Sequence, residues 1–223
     1  MSILEPFKTP LDSETFINKV DEVLKTTTDV HNLRLREGDW SLFEGEIFPM
    51  KTLLEAKRNL WHGIKIKMFL DKAVGPDAEV EGLENIKYLE ITEVGFDKYE
   101  LLSMKKMNRC HYGLPSSPDR ETEGLREIVN SDEPYFEFYS CDERYKKCVK
   151  MIITRINDKK EKYASAVNNK TALLVSFDDY GRLGRADGND EFRDLLEKSK
   201  IEKDPFANIF VVGRGKSPLY LEL

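Results

Sequence analysis

The sequence predicts an α/β protein: a mixed β-sheet covered on both faces by helices. Three observations predict it. Residues 63–94 hold three short strand patterns separated by tight turns at Gly75-Pro76 and Glu84-Asn85, the spacing of an antiparallel meander. TALLVSF (171–177) and NIFVVG (208–213) are continuous apolar runs, as in strands buried on both faces. Segments of helical period lie before, between and after these strands, so helices alternate with the sheet.

In chain order, Asp12 caps a helix to about Leu24, with Phe16, Ile17, Val20, Val23 and Leu24 as its apolar stripe. The β-branched, polar run Thr26 to Asp29 ends it. A second helical pattern runs from about Ser41 to Asn59. It sets Phe43, Ile47, Met50 and Leu54 on one face, with Trp61 in line beyond. Pro49 interrupts it, so the helix either kinks there or starts there. The meander strands are Gly63 to Leu70, Asp77 to Leu83 and Ile86 to Val94. A helix follows at about Asp97 to Asn108. Gly113 to Pro134, rich in Pro, Ser, Gly and acids, reads as a loop or insert, and Tyr135 to Tyr139 as a short strand. A long helix from Asp142 to about Val167 buries Tyr145, Val149, Ile152, Ile156 and Tyr163. After the Thr171–Phe177 strand come a Gly/Asp/Arg loop (178–190), a helix at Glu191 to Lys200, the Asn208–Gly213 strand and an edge strand at Pro218 to Leu223. Residues 1–40 read as a helical extension and 41–223 as the main domain.

The 223 residues suffice for one large domain, and 40% hydrophobic content suffices for its core. A net charge of −6 argues against a generally basic nucleic-acid coat, but not against an enzyme with one local basic face. Three unpatterned cysteines (Cys110, Cys141, Cys148) fit a reducing, cytoplasmic setting. No apolar run approaches the roughly 20 residues a bilayer requires, so no membrane partner is expected.

The chemistry is sought in PDAEVEGLENIKYLEITEV (76–94). Glu90 stands mid-strand among Tyr88, Leu89, Ile91 and Val94. A buried carboxylate needs a cation, either a divalent metal or a lysine or arginine. Strand alternation puts Glu90 and Thr92 on one face, and Leu89, Ile91 and Glu93 on the other. If Asp77 begins its strand beside the middle of the next, Asp77 and Glu90 can hold one hard cation, in the manner of Mg²⁺.

These residues and their order (helix, three strands, helix, strand, with PD opening the second meander strand) resemble the PD-(D/E)XK, or restriction-endonuclease-like, nuclease superfamily. The resemblance spans roughly Ser41 to Gly213. The segment RINDKKEKYASAVNNKTALLVSF and the tail FVVGRGKSPLYLEL are also similar to small members. It implies Asp77 and Glu90 as metal ligands for Mg²⁺ or Mn²⁺. Glu46 is implied as auxiliary ligand or water orienter, and is preferred over Glu44 because it lies nearer the inward face. The reaction implied is hydrolysis of DNA phosphodiester bonds. The family lysine falls on Thr92, which can hydrogen-bond a water but supplies no charge. Lys98 or Lys159 are the residues to fill that role. The alternative is a catalytically inactive nuclease-like fold that binds nucleic acid or protein as a regulatory module, for example in phage–host conflict. A third option is a homodimer or a protein partner that supplies the basic surface.

Simpler readings stand beside these. Asp77 after Gly75-Pro76 suits a turn, Glu90 suits an ion pair, and Glu79 and Glu81 suit a solvated strand face. The basic helix (Arg144, Lys146, Lys147, Lys150, Arg155, Lys159, Lys160, Lys162) suits either a phosphate backbone or solvent, since acids intersperse it. Lys159 and Tyr163 stand apart because they border the buried stripe. Cys110, His111, Cys141 and Cys148 match no zinc spacing, and GRLGRADG and the Gly-Lys-Ser at 215–217 lack the context of a phosphate loop.

Overall fold

Asp12 starts the first helix as its sequence position predicts. Its Oδ1 accepts the Thr15 N–H at 3.0 Å, and Thr15 Oγ1 donates to Oδ2 at 2.6 Å. These bonds satisfy an amide that the helix start leaves unpaired. The computed structural model describes residues 2–27, 38–70, 75–94, 141–163, 170–177, 188–213 and 220–223. The expected helix at 97–108, the 113–134 segment, the strand at 135–139 and Lys98 lie outside them, as does most of the 178–190 loop.

Among the described residues, seven strands form one sheet, in the order in which they occur along the chain. They are β1 (Leu11–Asp12), β2 (Lys65–Met68), β3 (Ala78–Glu81), β4 (Tyr88–Val94), β5 (Thr171–Phe177), β6 (Ile209–Gly213) and β7 (Tyr220–Glu222). β1 to β4 pair antiparallel, β4–β5 and β5–β6 parallel, and β6–β7 antiparallel. The expected meander is therefore present, followed by two parallel strands whose crossovers carry helices. β1, which lies in the N-terminal helical extension, pairs with β2 and so belongs to the same sheet.

The helices are α1 (Ser13–Thr26), α2, α3 (Cys141–Tyr163) and α4 (Gly188–Lys198). α2 is composite: α-helical over Asp39–Leu42, π-helical over Phe43–Ile47 and α-helical over Phe48–Ala56. Pro49 neither ends nor starts it. Proline lacks the N–H that would bond the Gly45 carbonyl, and its ring would press on that carbonyl. The chain widens by one residue instead, and the Phe48 N–H bonds the Phe43 carbonyl.

Strand alternation gives the sheet two apolar faces. Leu89, Ile91, Ala172, Leu174, Phe210 and Val212 pack with Phe16, Ile17 and Val20 of α1 and Phe43, Ile47, Met50 and Leu54 of α2. Val94, Leu173, Val175, Phe177, Ile209 and Val211 pack with Val149, Ile152 and Ile156 of α3 and Phe192 and Leu196 of α4. Trp61 meets Phe210 edge-on at 5.5 Å on the first face, and Phe177 stacks on Phe192 at 4.9 Å on the second. Each such side chain stabilises the fold by ~1.5–3 kcal/mol on burial. No helix among the described residues is long and apolar enough to cross a membrane.

Candidate functional site

Asp77 is more than a turn residue. β3 and β4 pair Ala78 with Leu89 and Glu79 with Tyr88, so one step back places Asp77 beside Glu90. The Asp77 N–H donates to the Leu89 carbonyl at 2.9 Å, and its Oδ2 accepts the Ile91 N–H at 2.6 Å. The two bonds straddle Glu90. On its other side, the Asp77 carbonyl accepts the Phe69 N–H at 2.8 Å. Asp77 is thus pinned between β2 and β4.

Glu90 is buried, with 3% of its surface exposed. Unlike its neighbours Leu89 and Ile91, it belongs to the face that α3 covers. Lys159 of α3 donates to Glu90 Oε1 at 2.5 Å. This is the cation that a buried carboxylate requires. Glu90 Oε2 is buried and has no hydrogen-bond partner among the described residues. The ion pair therefore satisfies half of the carboxylate.

Tyr163, one turn beyond Lys159, completes this side of the site. The Lys159 and Lys162 ammoniums lie 5.9 Å and 5.4 Å from the centre of its ring, within cation–π range. Burial first, and then its interaction with the Glu90 carboxylate, push the Tyr163 hydroxyl well above the ordinary tyrosine range. It stays a neutral donor facing Glu90, without well-formed hydrogen-bond geometry to Oε2.

The carboxylates affect one another. Burial, and next the charge of Glu90, push Asp77 up to about 6, opposed by the Ile91 N–H, Lys159 and Lys162. Burial, followed by the charges of Asp77 and Glu90, pushes Glu46 up to about 7, with Lys159 opposing. Glu46 sits in the π-helical turn of α2, which packs against β4. Glu46, the acid preferred on this helix, is coupled to Asp77 and Glu90. The sequence-predicted residues Asp77, Glu90, Glu46 and Lys159 thus meet electrostatically. Thr92 is buried on the Glu90 face, where it offers a hydroxyl and no charge.

Glu81 is exposed and Glu79 half-buried, as expected for a solvated strand face. Cys148 is half-buried, while Cys110 and His111 lie outside the described residues. Lys162 was one of eight basic residues in the sequence pattern. Its place over the Tyr163 ring singles it out, and the signal available was its spacing of three from Lys159.

Among the described residues, no group of three or more His, Cys, Asp or Glu side chains is placed to hold a metal ion. Mg²⁺ needs fewer protein ligands, since one or two carboxylates with waters and phosphate oxygens suffice. Asp77 and Glu90 are hard oxygen donors of that kind, and Glu90 Oε2 is buried without a hydrogen-bond partner among the described residues. Glu46 belongs to the surroundings of the pair. No family model, no curated protein and no solved structure matches the chain.

Proposed function

We propose that the protein is a metal-dependent nuclease hydrolysing DNA phosphodiester bonds, with a divergent restriction-endonuclease-like fold of the PD-(D/E)XK superfamily. One observation carries the reading: Asp77 and Glu90 lie side by side on adjacent strands, with Lys159 on Glu90. Asp77 and Glu90 would hold Mg²⁺ or Mn²⁺, which when bound polarises a phosphate and acidifies a water. Glu46, with its carboxyl near neutrality, accepts a proton from the attacking water. Lys159 supplies the positive charge missing at Thr92, from the helix instead of the strand. Thr92 Oγ1 orients water beside Glu90.

The test is incubation with plasmid, single-stranded DNA and RNA in Mg²⁺ or Mn²⁺, against Asp77→Asn and Glu90→Gln. Cleavage of DNA that both changes abolish is expected. Cleavage that survives both would overturn the assignment.

A second reading rests on the same ion pair. Lys159 neutralises Glu90, and with Thr92 in the lysine position the site serves as a structural remnant in a binding module. Retained DNA binding without cleavage in either metal would favour it.

A further inference from the structure

We propose that Lys159 is the resident counter-cation of the Asp77/Glu90 pair, so that a divalent ion gains Glu90 only as the ammonium leaves it, an exit that a bound phosphodiester promotes. This rests on the metal-site reading above and adds its regulation.

Three observations support it. Lys159 occupies Glu90 Oε1 at 2.5 Å, so an ion bridging Asp77 and Glu90 would meet a like charge at contact range. The Lys159 side chain is 17% exposed where that of Glu90 is 4% exposed, so the lysine is the partner with a route outward. Its four-carbon stem lets the ammonium swing while α3 stays packed through Ile152 and Ile156. A phosphate bound near the ion pair would offer the departing ammonium a second anion, and Lys162, which like Lys159 lies over the Tyr163 ring, adds a second cation there. Phosphodiester and metal then bind with positive coupling, each strengthening the other by the same factor.

The experiment is calorimetric titration of Mn²⁺ into the full chain, with and without a non-cleavable phosphorothioate DNA duplex, for wild type and Lys159→Met. The expected result is binding at least tenfold tighter in Lys159→Met, with the duplex raising wild-type affinity by a similar factor and that of the variant much less. Equal or weaker binding by Lys159→Met would overturn the inference while the metal site stands. If Lys159→Met does not fold, the wild-type titrations decide alone: Mn²⁺ affinity unchanged by the duplex refutes the coupling. If no protein binds Mn²⁺ and Asp77→Asn with Glu90→Gln changes nothing, the metal site itself fails, and the inference with it.

Discussion

Glu46 holds its proton to higher pH than an ordinary glutamate because it is removed from water beside two other carboxylates. Its rise from 4.5 to about 7 means that the folded chain binds this proton more tightly than the unfolded chain. The associated stability is complete below pH 4.5 and is lost as pH rises through 7. Glu46→Gln removes that loss. It is expected to stabilise the protein at pH 8 by roughly 1–2 kcal/mol, less than the full shift because Glu46 is only half-buried, and by nothing at pH 4. Urea denaturation at the two pH values checks this, and an equal effect at both would exclude the carboxyl as its source. Glu90 differs in being paired with a cation, the Lys159 ammonium. Lys159→Met strands a buried carboxylate, with an expected cost of about 3–5 kcal/mol. Adding Glu90→Gln should return most of it, and additive costs in that double-mutant cycle would show that the two residues do not interact. Asp77 and Glu90 were legible in the sequence because alternation alone assigns a strand residue to a face. The choice between metal and lysine for Glu90 was not legible, since it depends on which turn of α3 crosses β4.

Glu46 reaches its neighbours through the π-helical turn of α2, and this device belongs to the element. Pro49 disturbs the ladder and Gly45 sits within the widened turn. Nothing lies within 4 Å of a Cβ added at Gly45. Gly45→Ala should therefore stabilise the helix by about 0.5–1 kcal/mol, readable as a higher thermal midpoint. A drop would mean that the turn requires glycine's backbone freedom. The start of α1 gives a contrasting case. Asp12→Ala leaves the Thr15 amide without its cap and should cost about 1 kcal/mol by the same measurement, while an unchanged midpoint would show the cap to be dispensable. The sequence signalled both places, a capping Asp and an interrupting Pro. It could not signal the outcome at Pro49, because a kink, a fresh start and a π-turn all relieve the same clash. β1 was illegible for a different reason: two residues, Leu11 and Asp12, carry no period.

At the scale of the molecule, the central strands separate two apolar faces and belong to both. The runs TALLVSF and IFVVG foretold this, since every residue of β5 and β6 is buried. Adjacent Leu173 and Leu174 are both fully buried, and they point into opposite cores, Leu173 toward α3 and α4, Leu174 toward α1 and α2. Truncating either to Ala opens a cavity worth about 2–5 kcal/mol. Both tryptophans of the chain, Trp40 and Trp61, lie in the first core. Tryptophan fluorescence therefore reports on one face, while far-ultraviolet circular dichroism reports on all helices and strands. If the shared strands bind the two faces into one cooperative unit, Leu173→Ala must shift the fluorescence transition as far as the dichroism transition, although no tryptophan lies on its side of the sheet. If the faces unfold separately, Leu173→Ala would lower the dichroism transition and leave the fluorescence transition where Leu174→Ala alone moves it. The carboxylate site gives the first outcome a functional meaning. Glu90 projects to the α3 face and Glu46 arrives from α2, which packs on the other, so their geometry survives only while both layers stay docked on β4.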